Sequence, residues 1–113
     1  MRELVSRNGA KMALFTVPYA VAVHPDAALR QRVQAKYGVR DLAYPDCRVA
    51  SFARANSMLG ITLVEGMQAR ATALGQALYG FDNYRPGFGH WNALGHRAAA
   101  ELIAQSLCAS SGA

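Results

Sequence analysis

The sequence predicts an α/β domain in which parallel strands carry packed helices, and three observations lead to that class. Segments with helical signals alternate with short apolar segments, which is the order that produces a parallel sheet. The 113 residues are 52% hydrophobic and 17% charged, as in a globular chain rather than a disordered one. Only two segments have the composition of strands, and two strands are too few for a stable sheet. We therefore expect residues 1–113 to form a single, incomplete α/β domain.

The predicted order is helix, strand, two helices, strand, helix, loop and helix. The bounds of these elements, taken in turn, are 2–8, 10–17, 25–37, 47–56, 61–64, 65–78, 79–89 and 92–108. Glycines and a proline end the first three elements, because glycine accepts the left-handed conformation of a C-cap and proline cannot continue a strand. These terminating residues are Gly9, Pro18 and Gly38.

The strands and helices are predicted from their apolar patterns. The run at 10–17 is continuously apolar, which indicates a strand covered on both faces. In the helix at 25–37, Leu29, Val33 and Tyr37 recur every four residues and predict one buried stripe. Asp46 is a plausible N-cap for the next helix.

The C-terminal half follows the same logic. Residues 61–64 are rich in β-branched side chains and predict a short strand, although glycines weaken the helix predicted at 65–78. In the last helix, apolar residues form two adjacent rows on one face, and their alanines allow close packing on a sheet. The rows are Leu94, Ala98, Leu102 and Ala99, Ile103, Leu107.

A glycine-rich loop places His90 immediately before the last helix, for which Asn92 is a good N-cap. The free backbone N–H groups and the positive end of the helix dipole disfavour the imidazolium form there, and a neutral imidazole is what a general base requires. The alternative is a loop histidine that only caps or packs. We interpret His24, before a proline at a helix start, as structural, and His96 as structural or supporting.

The block His90-Trp91-Asn92-Ala93-Leu94-Gly95-His96-Arg97, followed by Ala98 to Ile103, resembles the last conserved block of the SGNH/GDSL hydrolase family. The resemblance implies a partial three-layer flavodoxin-like fold, with His90 as the catalytic histidine. The family's aspartate is missing from its usual positions, which are Gly87 and Phe88 here. Asp82, earlier in the same loop, is then the candidate carboxylate.

Three residues are candidates for substrate binding. Tyr19 follows the first strand, where the loops of an open α/β sheet form the ligand crevice, although a packing role is equally open. Phe88 belongs to a loop rich in glycine and aromatic residues, a composition that can line a pocket, although a packed surface is equally open. Asn92 lies in the block that carries the family resemblance.

The family also carries a Gly-Asp-Ser block with the nucleophile, and neither that block nor a G-x-S-x-G elbow occurs here. We therefore expect the C-terminal part of a serine esterase, inactive alone, with the missing N-terminal half as a partner. The expected substrate is an ester or an acetylated glycan. One alternative is an SGNH-like O-acetyltransferase that acts on a glycan. The other is a noncatalytic binding module for acidic glycans.

Composition limits the remaining function classes. The net charge of +5 is spread along the chain, so we expect no nucleic-acid partner. No apolar run approaches the ~20 residues of a membrane span. A basic N-terminus and an apolar run suggest a secretory signal, but Glu3 and Pro18 speak against one. Cys47 and Cys108 form no CxxC motif, so we expect no metal site. If the helices that carry them run parallel on the sheet, the two cysteines lie at opposite ends of the layer, too far apart for a disulfide, and we expect free thiols. We expect no cofactor.

Overall fold

The computed structural model describes residues 1–81, 83 and 85–112. Its elements are α1 (Arg2–Arg7), β1 (Ala13–Phe15), a 3₁₀ helix (Ala20–Val23), α2 (Ala27–Tyr37), α3 (Tyr44–Ala55), β2 (Leu59–Ile61), α4 (Val64–Leu74) and α5 (Ala93–Ser111). The two strands pair in parallel, with Leu14 opposite Gly60. The predicted α/β class with parallel strands is therefore confirmed, and the described residues form a two-stranded sheet.

Helices cover the sheet unevenly. Helix α3 packs on both strands, while α5 contacts β2 and also packs on α4. Gly60 allows the close approach of β2 to α3, since a Cβ atom there would lie 2.5 Å from the carbonyl oxygen of Ala50. The largest fully buried side chains come from the 3₁₀ helix, from α4 and from the segments that flank α4: Val23, Leu63, Met67 and Leu78. The core therefore lies mainly between α4, α5 and the 3₁₀ helix.

The prediction that the first strand is covered on both faces was wrong. Strand β1 has only three residues, and Phe15 and Val17 are 42% and 61% exposed. Side chains alternate along a strand, so Thr16 turns to α3 and bonds to it, while Phe15 and Val17 face the other side. On that side α5 packs on β2 rather than on β1. The continuous apolar run thus overstated the burial of the strand.

Other local predictions were partly right. Gly38 ends α2 in the left-handed conformation, as expected of a C-cap. Helix α4 ends at Leu74, with Gly75 as a left-handed C-cap, and does not continue to Leu78 as predicted. The buried stripe predicted on α2 was wrong, because the helix has no buried residue: Leu29 and Val33 are half-buried and Tyr37 is 66% exposed. Helix α3 begins at Tyr44 with Ala43 as its N-cap, so Asp46 lies in its first turn rather than at the cap.

Strand β2 begins and ends earlier than predicted, at Leu59–Ile61 rather than at 61–64. Both cysteines are free and exposed, as expected. Within the described residues, no helix combines the length and the apolar character needed to cross a bilayer.

Candidate functional site

Backbone hydrogen bonds hold the loop that carries His90 at both of its ends. Tyr79 and Trp91 form an isolated antiparallel bridge. The N–H of Gly80 donates to the carbonyl of His90 at 2.9 Å, and the N–H of Gly87 donates to the carbonyl of Tyr79 at 2.8 Å. Gly80 has a φ of +86°, which a residue with a side chain rarely adopts. The backbone of His90 is thus fixed to the segment that precedes the loop.

Asn92 caps α5, as the sequence predicted. Its Oδ1 accepts a hydrogen bond from the N–H of Gly95 at 3.0 Å, and its Nδ2 donates to the carbonyl of Ala77 at 2.8 Å. Both the oxygen and the nitrogen of the side-chain amide therefore form hydrogen bonds that stabilise the fold. Asn92 borders a different depression of the surface from the cleft described next, and its role in substrate binding remains a prediction.

The imidazole of His90 is exposed and lines a cleft of about 340 Å³. The other lining residues come from the end of β1, from the two sides of the loop and from α5: Val17, Tyr79, Gly89, Trp91 and His96. This position lies beyond the carboxyl end of β1, the edge at which parallel α/β sheets bind ligands. The cleft therefore offers two imidazoles beside aromatic walls.

Trp91 forms the centre of the cleft wall. Its ring meets that of Tyr79 edge to face, with centroids 6.4 Å apart, and meets the ring of His96 in the same manner at 5.5 Å. Its Nε1 is buried and has no hydrogen-bond partner of normal geometry among the described residues. Because Trp91 precedes the N-cap and His96 is the fourth helical residue, the pair has the spacing of a hydrophobic staple. That spacing was the available signal that His96 lies beside Trp91 and shares the lining of the cleft with His90.

Tyr79 connects the loop to the end of β1. Its hydroxyl donates a hydrogen bond to the carbonyl of Pro18, and the residue is only 4% exposed. Burial raises the pKa of Tyr79 to about 12, and the negative charge of Asp46 acts in the same direction. The indole N–H of Trp91 lies close enough to lower the pKa, although it does not reach hydrogen-bond geometry. Tyr79 is therefore a neutral hydrogen-bond donor across the physiological pH range.

A buried carboxylate, which sequence reasoning missed in this role, lies near Tyr79. Asp46 is 3% exposed and accepts a hydrogen bond from the hydroxyl of Thr16, the residue directly after β1. The polar groups of Thr16, Asp46 and Tyr79 thus meet at the carboxyl end of the strand. Thr16 and Asp46 are 30 residues apart, so no local sequence pattern predicts their contact. The one available signal was the aspartate in the first turn of a helix.

His24 fastens the start of α2 to the same loop. Its Nδ1 accepts a hydrogen bond from the N–H of Asp26 at 3.1 Å. Its ring also lies against Gly87, where an added Cβ atom would approach Cδ2 and Nε2 to 2.8 Å. Burial lowers the pKa of His24, Arg30 acts in the same direction, and the carboxylate of Asp26 opposes them. These contacts agree with the structural role predicted for His24.

Among the described residues that line the His90 cleft, neither Tyr19 nor Phe88 is present. Tyr19 is 71% exposed, and Phe88 is 45% exposed with the guanidinium of Arg85 at 5.5 Å from its ring centre. Asp82 lies outside the described residues. The structure thus brings together His90 and His96, and it leaves the predicted binding roles of Tyr19 and Phe88 as predictions.

Over the part of the chain that the structure describes, no group of three or more histidine, cysteine, aspartate or glutamate side chains is arranged to hold a metal ion. Comparison with known proteins adds no further assignment. No protein-family model matches the chain, and no curated protein or solved structure matches it either.

Proposed function

We propose that His90 is the general base of an ester-handling centre of the SGNH/GDSL hydrolase type. In this proposal the chain forms part of a three-layer flavodoxin-like fold, and the attacking hydroxyl comes from polypeptide outside it. The observation that carries the proposal is the position of the imidazole. It is exposed, on a loop fixed by backbone hydrogen bonds, and in a cleft at the carboxyl end of a parallel strand.

The chemistry assigned to His90 is removal of a proton from a hydroxyl as that hydroxyl attacks the carbonyl carbon of the ester. General-base catalysis contributes ~10²–10⁴-fold and needs a nucleophile within hydrogen-bond reach of the base. No serine, threonine or cysteine of the described chain lines the His90 cleft. Transfer of an acetyl group to a glycan hydroxyl would use the same proton acceptor, with the sugar oxygen as the attacking group.

Labelling with a serine-reactive fluorophosphonate tests where the nucleophile lies. We expect the 113-residue chain to remain unlabelled and to release no burst of nitrophenol from a nitrophenyl ester. Stoichiometric labelling of any of its serines, followed by peptide mapping, would place the nucleophile inside the chain and contradict the proposal.

A ligand titration tests whether the cleft recognises the ester. The indole N–H of Trp91 and the imidazole of His90 are NMR probes on its wall, and the only tryptophan of the chain gives an unambiguous signal. We expect an acetylated oligosaccharide to shift both signals and its deacetylated form to shift them much less. If the two forms give equal shifts, or if neither shifts them, the ester-handling proposal is wrong.

The second candidate is a noncatalytic module that binds acidic glycans. The half-buried ring of Trp91, the two imidazoles and the net charge of +5 favour it, because aromatic walls and cations are the groups that hold a sugar acid. Equal shifts with the acetylated and deacetylated forms of an acidic oligosaccharide, abolished by high salt, would support this candidate over the first.

A further inference from the structure

A cavity of about 650 Å³ lies at the opposite end of the sheet from the His90 cleft. It opens beneath α1 at the amino ends of both strands, with Met12 and Leu59 on its floor and the last turns of α5 on one side. Helix α1 has no buried residue, and its residues Arg2, Val5 and Ser6 line the cavity. The volume falls within the range of small-molecule sites.

The lining of the cavity combines apolar and polar groups. Val5, Met12 and Met58 contribute half-buried apolar surface, and Ser6 and Ser57 contribute hydroxyl groups. A cavity with polar walls does not stay dry, and its apolar floor loses packing contacts while water occupies it. A ligand with an apolar part would recover those contacts by displacing the water.

The charges on the lining have one sign. Arg2 and Lys11 line the cavity, and none of its lining residues is an aspartate or a glutamate. The Nη1 of Arg2 donates to the backbone carbonyl of Asn56 at 3.1 Å and to its side-chain Oδ1 at 3.5 Å, which holds the guanidinium at the rim and leaves Nε and Nη2 as available donors. Neither cation belongs to an ion pair of the described residues, where the pairs are Arg32–Asp26 and Arg70–Glu101.

We propose that this cavity binds a small anionic amphiphile, specifically a medium-chain carboxylate. The carboxylate pairs with Arg2 and Lys11 at the rim, and the alkyl chain lies on Met12, Met58 and Leu59. The site is separate from the His90 cleft and does not depend on the function proposed for that cleft.

The methionines provide a direct test by NMR of their labelled methyl groups. Met12 and Met58 line the cavity, Met67 is fully buried in the core, and Met1 is 90% exposed. On titration with decanoate we expect saturable shifts of the Met12 and Met58 signals and none of the Met67 signal. Shifts confined to Met1 or Met67, or no shift at all, would overturn the proposal.

Charge variants test the recognition of the carboxylate. We expect R2Q/K11Q to weaken decanoate binding at least about tenfold, and K11Q alone, which keeps the contact between Arg2 and Asn56, to weaken it severalfold. The matched control R7Q/K36Q removes two exposed charges outside the cavity and should leave the affinity within about twofold. Unchanged affinity in R2Q/K11Q, or equal affinity of the wild-type protein for decanol, would refute the assignment.

Discussion

Two helical glycines offer a matched test of how closely α5 packs on the segment before the His90 loop. Gly66 and Gly95 are each the third residue of a helix, so alanine gains at most about 1 kcal/mol of helix propensity, and the gain is matched at the two positions. At Gly95 an added Cβ atom would lie under 3.0 Å from the carbonyl oxygen of Leu78. At Gly66 it would meet Cδ2 of Leu102 at 2.6 Å, the far end of a flexible side chain.

The two clashes have different costs because a backbone carbonyl cannot rotate away. To admit the methyl group, G95A must separate α5 from Leu78, which strains the hydrogen bond from the N–H of Asn92 to the Leu78 carbonyl at 3.0 Å. Overpacking costs about 1–3 kcal/mol, and a lost hydrogen bond costs about 1 kcal/mol more. After the propensity gain, G95A should lose about 2 kcal/mol of unfolding free energy. For G66A the repacking of Leu102 and the propensity gain nearly cancel, so we expect a change within about 1 kcal/mol.

Urea unfolding followed by circular dichroism measures both variants against the wild-type protein. A loss of about 2 kcal/mol also lowers the melting temperature by about 10 °C in a domain of this size. If G95A is as stable as G66A, α5 does not approach Leu78 as closely as described. The position described for the His90 loop would then also be wrong, because it depends on the same contact.

Three further predictions concern the polar groups around the loop. Because the pKa of Tyr79 rises from 10.0 to about 12 on folding, the unfolded chain loses this proton first, so stability should fall between about pH 10 and pH 12. The unfolding free energy of Y79F, measured by urea unfolding over the same pH range, should lack this decrease. T16V should lose about 2 kcal/mol in urea unfolding, since it leaves the buried Asp46 without its hydroxyl donor, whereas T16S should retain most of the stability. Because folding lowers the pKa of His24, its neutral ring should contribute its full stability above about pH 6.5 and lose that contribution as the pH falls. The H24N variant should lack this pH dependence when its unfolding free energy is measured by denaturant titration at several pH values. If the pH dependence of H24N equals that of the wild-type protein, the assignment to His24 is wrong.

Features determined within a few residues could be predicted from the sequence. The cap at Asn92 was predictable because its side chain bonds to an N–H three residues ahead. The stop at Gly38 follows from the left-handed conformation that glycine accepts without strain, whereas the stop at Gly75 was missed because the helix was predicted to continue to Leu78. The parallel pairing of the strands followed from the helices that separate them in sequence.

Features that depend on distant partners could not be predicted in this way. The burial of Asp46 depends on Thr16, and the exposure of Phe15 depends on which strand α5 covers. The apolar run around β1 reports only that its side chains are apolar, because composition does not identify the element that covers each face. Loop membership likewise gives no direction to a side chain, so the sequence could not show whether Tyr19 and Phe88 line the cleft that contains His90.

The His90 cleft depends both on contacts between residues close in sequence and on a contact between distant residues. Trp91 and His96 lie within six residues of His90, and the rings of Trp91 and His96 are in contact across the N-cap of α5. This part of the cleft therefore depends on residues that are close in sequence. Val17 and Tyr79 complete it from 73 and 11 residues before His90, and their placement depends on the hydrogen bond from Tyr79 to Pro18. That bond spans 61 residues and ties the loop to the end of β1. Residues 90–97 therefore supply the two imidazoles, while the long-range hydrogen bond of Tyr79 helps to form the cleft that they line.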